Sequence, residues 1–499
     1  MDLARRARRH WLFGLVLAGA IVLRILVMLA FRPVMWFGGD SASYLATALR
    51  LIPDPSRAGG YAILLWALRP LHSLTLVAAV QHLIGIAMAV LIYLLARRYG
   101  LPAWGATLAT VPVLFDSYQL QLEHDIVPDT SFGLLILIAL YLMLRSPGER
   151  RPVFAALAAF VVGVSAVVWP VGLALLAVLL AVLLVALLIR RASLVAVAAV
   201  LLAGALPVAA YAAWFGVYEH QFTLTRSDGV FLWSRTMSFA NCAVIRPPAD
   251  ERGLCPPPGP RMASSLYIWS DTSPLLRMPG GRFSARTNAL ALDFALRAIA
   301  AQPGGYVTAV AHDFGLSLYW DRPVHPDAGI VDRYQFSDAA TAWVPATMRT
   351  QGGGTVAADQ AAYNGGRPAP TRAVQPFASW LVSYQRYAHL PGTLLGVILL
   401  AGLAGMVVRR RVAGAGLPWA FAVTILLVPP LIVDFDLRYL VPAVPAACLA
   451  AALAWAPRAG GPDQRRWTTS PAATGSSAPA AERTSSLPSE STPKASPES

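Results

Sequence analysis

The sequence predicts an all-α protein that crosses a membrane many times. The chain has 499 residues, of which 56% are hydrophobic and only 13% are charged, whereas soluble domains are about 25% charged. Its apolar residues are grouped in blocks close to the ~20 residues that a helix needs to span a bilayer. A transmembrane β-barrel would instead show short segments of alternating hydrophobicity. Arginine clusters separate the blocks, as in polytopic proteins that follow the positive-inside rule.

The first apolar block follows a basic N-terminus. Residues 1–10 hold four arginines and one histidine, and the apolar run 11–31 comes next. This run is longer than the core of a signal peptide and has no small-residue cleavage site. We therefore predict a first transmembrane helix that leads outward from a cytoplasmic N-terminus.

The arginine clusters give each later run a direction. All clusters fall on one side if about ten helices cross the membrane. The Trp169-Pro170 pair predicts a sharp turn between two of them. The later runs are 74–95, 103–115, 130–144, 153–168, 171–189, 194–214, 393–408, 417–433 and 440–455.

A long polar segment, 215–390, interrupts these runs. It includes a partly amphipathic stretch at 284–301 and turns at 256–260 and 352–354, so we expect a mainly helical extracytoplasmic domain. The Ser/Pro/Thr/Ala-rich tail is predicted to be disordered in the cytoplasm. The predicted organisation is a cytoplasmic N-terminus at 1–10, a transmembrane module at 11–214 with outer loops at 32–73 and 116–129, the extracytoplasmic domain at 215–390, transmembrane helices at 391–457 and the tail at 458–499.

The net charge of +14 does not indicate a nucleic-acid partner. The arginines flank apolar runs, so the bilayer is their expected partner, and no Walker-type nucleotide motif is present. Of the three cysteines, Cys448 lies in an apolar run and is expected to pack there. Cys242 and Cys255 are expected to form a disulfide if their polar segment is outside, and to be free thiols otherwise.

The first outer loop places Asp40 just beyond the first apolar run. Asp40 and Tyr44 are four residues apart and share a face of the helix predicted at 41–51. Because Gly-Asp-Ser before an Ala/Leu run also suits a helix N-cap, Asp40 is interpreted as a cap, a functional carboxylate or both. Arg57 lies in the same loop, before a second helix predicted at 60–71.

The second outer loop has an unusual density of charge. Four carboxylates and a histidine fall within the fourteen residues 116–129. Acidic groups at a membrane boundary are costly unless hydrated or paired, so they indicate a site; the alternative is a solvated loop. His124 and its acidic neighbours are adjacent in sequence and would not converge on one ion, so no metal site is predicted. Whether a divalent cation is required is left open.

Two arginines stand where the positive-inside rule does not explain them. Arg438 lies on the outer side, where it could bind a phosphate or pair with Asp434 or Asp436. Arg24 lies within the first apolar run, and we expect it to pair with an acid of the bundle or to snorkel.

Three motifs in this order resemble the GT-C fold membrane glycosyltransferases, in particular family 39 and protein O-mannosyltransferase-like enzymes of an actinobacterial type. The first motif has one acid followed by Ser41, where the mannosyltransferases carry an Asp-Glu pair. The motifs are Gly39-Asp40-Ser41-Ala42-Ser43-Tyr44, Leu122-Glu123-His124-Asp125 continuing to Asp129, and Arg438-Tyr439-Leu440-Val441-Pro442-Ala443-Val444-Pro445.

The resemblance implies an inverting transfer of a sugar from a polyprenyl-phosphate donor to a cell-envelope glycan, lipid or protein. The enzyme would lie in the bacterial plasma membrane, with both termini in the cytoplasm and the active site facing outside. Asp40 would be the base, and Arg438, with Arg57, would bind the leaving phosphate. The other residues expected at the substrate, by binding sugar hydroxyls or by orienting Arg438, are Tyr44, Glu123, His124, Asp129 and Tyr439.

Other activities fit parts of this pattern. A transporter or flippase for a lipid-linked sugar would show repeats and broken helices at mid-membrane, whereas the polar groups here gather at the predicted outer face. A ligase or polymerase of similar architecture, or a scaffold of a cell-envelope complex, would share the predicted topology.

Overall fold

The computed structural model describes residues 2–145, 151–189, 192–339, 344–410 and 412–457, with side chains from His10 onward except that of Arg151. The predicted tail, the link 146–150 and the arginines at 190, 191 and 411 lie outside the described residues. Residues up to Pro457 belong to one compact unit.

The first half of the chain is a succession of helices. Gly38, with φ +53°, opens α2, and Leu51 ends it in the left-handed conformation. In order, the helices are α1 (Asp2–Ala30), α2 (Gly38–Arg50), α3 (Gly60–Leu68), α4 (Leu74–Arg98), α5 (Ala103–Leu108), α6 (Val111–Phe115), α7 (Ser117–His124), α8 (Asp129–Arg145), α9 (Arg151–Val168), α10 (Val171–Leu188) and α11 (Leu194–Glu219).

The second half combines short helices with three long apolar ones, and the third of these, Leu437–Ala454, begins with 3-10 turns that precede its α-helical part. The α-helices are α12 (Asp228–Thr236), α13 (Cys242–Ile245), α14 (Ser264–Trp269), α15 (Ala285–Ala301), α16 (Pro303–Leu316), α17 (Ala328–Val331), α18 (Val356–Tyr363), α19 (Phe377–Gln385), α20 (Gly392–Arg409), α21 (Val412–Ile432) and α22 (Val444–Ala454). Four two-residue strands form two antiparallel pairs, β1 (Phe31–Arg32) with β4 (Arg372–Ala373) and β2 (Arg349–Thr350) with β3 (Gly354–Thr355).

Seven helices within the described ranges are long and apolar enough to cross a membrane. The prediction of an all-α, multi-pass architecture is confirmed. The seven are His10–Ala30, Leu74–Arg98, Val171–Leu188, Leu194–Glu219, Gly392–Arg409, Val412–Ile432 and Leu437–Ala454.

The other predicted spans are shorter or broken. The run 103–115 divides into α5 and α6, with Pro112 in the first turn of α6. Helix α8 has 17 residues, or about 26 Å at 1.5 Å per residue, which is less than the ~30 Å hydrocarbon core. The apolar part of α9, Pro152–Val168, is also short. The expected number of about ten therefore exceeds the number of full-length apolar helices.

Several local predictions are confirmed. Helices α2 and α3 occupy the two helical stretches expected in the first outer loop. Helix α15 follows the amphipathic stretch at 284–301, and Ser284 caps it by accepting the N–H of Thr287. The chain turns at Trp169-Pro170 between α9 and α10, and at 351–353 between β2 and β3.

The segment 215–390 has a small core of its own, formed mainly by α12, α14 and α15 around Trp233, Tyr267 and Phe294. A disulfide joins Cys242 to Cys255 beside it, while Cys448 is a buried free thiol in α22. The segment also returns to the first loop: β4 pairs with β1, and the Tyr363 hydroxyl donates to the Leu65 carbonyl at 2.7 Å.

Candidate active site

Asp40 lies in the first turn of α2 but does not cap the helix. The N-cap residue is Phe37, and its side chain makes no capping hydrogen bond. The Phe37 N–H donates to Ser41 Oγ at 2.7 Å. The capping interpretation of Asp40 is therefore wrong. A carboxylate in the first helical turn is favoured by the helix dipole, and here it also faces two guanidinium groups.

Four charged side chains, which we call the Asp40 cluster, meet at one end of the bundle: Asp40, Arg57, Asp129 and Arg438. Arg57 Nη2 donates to Asp40 Oδ1 at 2.7 Å, and Arg438 Nη1 donates to Asp40 Oδ2 at 2.6 Å. Arg438 also donates to Asp129, from Nη2 at 2.9 Å and from Nε at 3.3 Å. Arg438 thus bridges a carboxylate of α2 and a carboxylate at the start of α8.

The alternative partners of Arg438 have other contacts. Asp436 accepts the backbone N–H of Arg438 at 3.4 Å and the hydroxyl of Tyr334, and Asp434 accepts the Ser265 N–H at 2.8 Å. The alternative of a side-chain ion pair between Arg438 and Asp434 or Asp436 is therefore wrong. Asp434 thus bonds the backbone of α14, whereas Asp436 bonds the Arg438 backbone and the Tyr334 hydroxyl.

The cluster is only partly shielded from solvent. The Asp40 side chain is 25% exposed and that of Arg57 is 19% exposed, whereas that of Asp129 is 2% exposed. Burial acts to raise the pKa of Asp40, but the guanidinium groups of Arg57 and Arg438 outweigh it and hold that pKa below its ordinary value. Asp40 is therefore an ionised carboxylate that is partly accessible to solvent.

Asp125 contrasts with Asp40. It is buried, and its Oδ2 has no hydrogen-bond partner among the described residues. Burial raises its pKa well above the ordinary value, against the attraction of Arg438. Asp125 is thus a buried carboxyl group with a raised pKa beside the cluster, an environment that the sequence pattern did not reveal.

The two predicted site tyrosines pack against other aromatic rings. Tyr44 is buried and makes an edge-to-face contact with Tyr61, with centroids 5.2 Å apart. Burial and the nearby Asp40 raise the pKa of Tyr44. Tyr439 stacks on Trp169 with centroids 5.3 Å apart. Both rings flank residues of the cluster.

Glu123 and His124 belong to a second, fully buried network. Glu123 accepts hydrogen bonds from Arg24 Nη2 at 2.8 Å and from Gln119 Nε2 at 2.9 Å, and bonds His82 Nδ1 at 2.8 Å. Glu123 is thus the acid that pairs with the intramembrane Arg24. Within the described chain, no hydrogen bond links this network's Glu123 or His124 to Asp40 or Arg438, so the structure does not bring these two predicted site residues into the Asp40 cluster.

The contacts of His124 are also internal. Its Nε2 donates to the Phe31 carbonyl at 2.7 Å, and its Nδ1 lies 3.1 Å from His82 Nε2. Burial and the neighbouring His82 lower the pKa of His124 to about 3. A neutral, fully bonded imidazole is a poor partner for a phosphate.

We expect Glu123→Gln to reduce the free energy of unfolding by about 3–5 kcal/mol, because it leaves the buried Arg24 charge without a counterion. Thermal unfolding of the purified protein measures this loss. The matched control is Glu219→Gln, which removes the more exposed pair with Arg226 and should cost less than about 1 kcal/mol. Unchanged stability of Glu123→Gln would contradict the counterion role of Glu123.

Two further residues near the cluster come from the segment 215–390. The Arg57 guanidinium lies 5.4 Å from the ring centroid of Trp269, which is 40% exposed. Arg333 packs against Gly38, where an added Cβ would be 2.6 Å from its Nη1. Neither residue lies in a motif, so no local sequence signal identified it. Over the described residues, no group of three or more His, Cys, Asp or Glu side chains could hold a metal ion.

No protein-family model and no curated protein matches the chain. Among solved structures, the Archaeoglobus fulgidus oligosaccharyltransferase tethered with an acceptor peptide is 14% identical, with a TM-score of 0.39 over 89% of this chain and 49% of that one. ArnT from Cupriavidus metallidurans bound to undecaprenyl phosphate is 14% identical, with a TM-score of 0.35 over 89% of this chain and 77% of that one. The chain thus spans about half the length of the oligosaccharyltransferase that it matches.

Proposed function

We propose that this chain is a GT-C-type inverting glycosyltransferase. It moves a sugar from a polyprenyl-phosphate donor to an extracytoplasmic acceptor, which is a cell-envelope glycan, lipid or protein. The observation that carries the proposal is Asp40 held between Arg57 and Arg438 and partly open to solvent. Asp40, Asp129 and Arg438 come from the three sequence motifs. Their side chains meet at the end of a bundle of apolar helices.

Each group of the cluster has a chemical role in this reaction. The acceptor hydroxyl attacks the anomeric carbon as the bond from that carbon to the phosphate oxygen breaks, and the hydroxyl proton passes to Asp40. The leaving polyprenyl phosphate gains negative charge, which Arg438 and Arg57 stabilise. Attack opposite the phosphate inverts the anomeric configuration. Asp129 positions Arg438 through two hydrogen bonds.

Donor binding and base strength are coupled in this arrangement. In the free enzyme, Arg438 Nη1 and Arg57 Nη2 are both bonded to Asp40. An incoming phosphate competes for the same N–H groups and neutralises their charge. The contacts that hold the pKa of Asp40 low are then weakened, so its carboxylate becomes a stronger base once the donor is bound.

This coupling predicts a difference between two pH profiles. The profile of kcat/KM reports the free enzyme and that of kcat reports the enzyme–substrate complex. Because the pKa of Asp40 is below its ordinary value in the free enzyme, activity on the kcat/KM profile should be lost only at strongly acidic pH as Asp40 takes up a proton. We expect the acid limb of the kcat profile at higher pH. Coincident acid limbs would contradict the coupling.

The proposed location is the bacterial plasma membrane, with both termini in the cytoplasm and the Asp40 cluster outside. Seven apolar helices within the described ranges support the multi-pass part of this proposal. Reporter fusions after residues 40, 125, 300 and 480 test the orientation. The first three should report outside and the last inside, and opposite sides for 40 and 300 would overturn the scheme.

The proposed activity is tested with purified protein and a panel of polyprenyl-phosphate sugars. The expected result is release of polyprenyl phosphate together with an acceptor product of inverted anomeric configuration. A transporter would move donor between leaflets without cleaving it, and a ligase would consume only lipid-linked oligosaccharides. If no donor is cleaved with any acceptor fraction from the cell envelope, the proposal is wrong.

A further inference from the structure

Helix α19 lies at the same end of the bundle as the Asp40 cluster. Its buried residues Ala378 and Leu381 share a hydrophobic cluster with the last turn of α1, a helix that is long and apolar enough to span a membrane. Strand β4, just before α19, pairs with β1, which joins α1 to the loop that leads to α2 and Asp40. Helix α19 is therefore fixed beside the end of a membrane-spanning helix.

The remaining surface of α19 is aromatic on one side and polar on the other. Residues three or four apart share one side of a helix, and Phe377, Trp380 and Tyr384 have this spacing. Tyr387, just beyond the helix, continues the line; it is 87% exposed and Trp380 is 55% exposed. The polar side has the same spacing and consists of Ser379, Ser383 and Arg386. A helix that is buried on one side, aromatic on the second and polar on the third suits the boundary between lipid and water.

The aromatic side of α19 also contacts the end of α6. The Tyr384 hydroxyl donates to the Phe115 carbonyl at 2.5 Å, and the Ser117 N–H donates to the Ala388 carbonyl at 2.8 Å. Phe115 is the last residue of α6 and of the apolar run 103–115. The aromatic side thus adjoins the apolar helices of the bundle.

A second exposed aromatic pair, Tyr319 and Trp320, lies at the start of α20. The Thr393 hydroxyl donates to the Leu318 carbonyl at 2.8 Å, and an added Cβ at Gly392 would lie 2.8 Å from the Tyr319 carbonyl oxygen. Gly392 is the first residue of α20, which is also apolar enough to span a membrane. Because only six residues separate α19 from α20, both aromatic groups lie at one end of the bundle.

Exposed tryptophans mark the opposite end of the bundle. Trp11, Trp104 and Trp455 lie at the start of the apolar part of α1, in α5 and at the end of α22, and residues one or two positions from each share one hydrophobic cluster. Trp and Tyr are enriched at both boundaries of a bilayer. From Trp11 to Ala30, α1 rises about 28 Å at 1.5 Å per residue, close to the ~30 Å hydrocarbon core. The two aromatic layers are thus one hydrocarbon thickness apart.

We propose that α19 is an interfacial helix that lies in the headgroup layer of the leaflet beside the Asp40 cluster. Trp380 and Tyr387 reach the boundary with the hydrocarbon, and Tyr319 and Trp320 do so at the start of α20. The bilayer covers this aromatic surface, because the surface continues the lipid-facing sides of the spanning helices that it adjoins.

Contact of α19 with the bilayer fixes the depth of the Asp40 cluster. The segment that leads into α19 is bonded to the chain before Asp40 at two places. The Thr371 hydroxyl donates to the Val34 carbonyl at 2.7 Å, and the Val374 N–H donates to the Ala30 carbonyl at 2.7 Å. The cluster is thereby held at the level of the lipid headgroups. The inference does not depend on the proposed glycosyltransferase activity.

Spin labels measure the depth of α19 directly. A Cys448→Ala background has no free thiol, because the other two cysteines form a disulfide. Single cysteines added to it are labelled with a nitroxide, and the protein is placed in nanodiscs of phosphatidylethanolamine and phosphatidylglycerol. Collisions of each label with oxygen and with a nickel chelate are then measured. The labelled variants are Trp380→Cys and Tyr387→Cys on the aromatic side, Ser383→Cys on the polar side, Gly39→Cys beside Asp40 and, as the control in water, Asp293→Cys on the exposed face of α15.

We expect the labels at positions 380 and 387 to lie about 5–10 Å into the headgroup and acyl boundary, as the apolar side of an interfacial helix does. The label at position 383 should be shallower, and the label at position 293 should collide freely with the nickel chelate. Gly39 is exposed, and an added Cβ there meets nothing within 4 Å, so its label should report headgroup depth without disturbing α2.

Four results would contradict the proposal. Nickel accessibility at positions 380 and 387 equal to that at position 293 would place the aromatic side in water. Immobilised labels shielded from both reagents would show that protein, such as a second copy of the chain, covers it. A label at position 383 deeper than that at 380 would reverse the two sides, and a label at position 39 as accessible to nickel as that at 293 would separate the Asp40 cluster from the headgroups. Thermal unfolding identifies any variant that fails to fold, and because positions 380 and 387 are both exposed, either label is sufficient for the test.

Discussion

Asp40→Asn is expected to lower kcat by about 10²- to 10⁴-fold, the usual contribution of a general base. Asparagine has nearly the same shape as aspartate and can still accept a hydrogen bond from Arg57 or Arg438, but it cannot take the proton of the acceptor hydroxyl. The donor KM should stay unchanged or fall, because both arginines lose a competing anion. Turnover of a polyprenyl-phosphate sugar, measured at saturating donor, checks the prediction.

The matched control is Asp293→Asn on the exposed face of α15, which should keep native turnover and native thermal stability. A spectroscopic comparison of the folded state separates a loss of chemistry from a loss of structure. Full turnover by Asp40→Asn would remove Asp40 from the role of base and leave it as a counterion of the two arginines.

Most of the helical architecture could be predicted from local sequence. Apolar length alone predicted α4, α10, α11, α20 and α21, because each run stays apolar over most of a membrane-spanning length. Length did not reveal the break between α5 and α6, where the apolar run continues through Thr110-Val111-Pro112. A proline in the first turn of a helix is compatible with an apolar run, so hydropathy could not distinguish one span from two short helices.

The Asp40 cluster could be predicted as a set of residues but not as a set of contacts. Asp40, Arg57, Asp129 and Arg438 each carry a charge next to an apolar run, which is a local signal. Which carboxylate Arg438 meets depends on how α8 packs against the start of the last helix. The sequence offered the nearby Asp434 and Asp436, whereas the structure uses two carboxylates that are hundreds of residues away.

For the second outer loop, the sequence predicted an exposed site where the structure has a buried one. Its acidic density indicated a surface site, yet Glu123 is fully buried. The reason is Arg24: a guanidinium inside the bundle requires a counterion, and Glu123 supplies it. Both costly residues were recognised in the sequence, but only the fold shows that each explains the other.

Arg438→Gln is expected to reduce both turnover and stability. In the proposed reaction Arg438 faces the leaving phosphate, so loss of this cation should lower kcat by about 10²- to 10³-fold. The substitution also leaves Asp40 and the buried Asp129 without the guanidinium that bridges them, and breaking such a buried pair costs about 3–5 kcal/mol of unfolding free energy. Parallel measurements of kcat and of thermal unfolding check the two effects.

Two companion variants separate the chemical role of Arg438 from its structural one. In Arg438→Gln combined with Asp129→Asn, the unpaired buried carboxylate is removed, so stability should return while kcat stays low. Arg438→Lys keeps the charge but cannot bond both carboxylates through a planar fork, so its stability and turnover should be intermediate. If the double variant recovers turnover along with stability, then Arg438 only holds Asp40 and Asp129 together, and the leaving phosphate must be stabilised by Arg57 or by another cation.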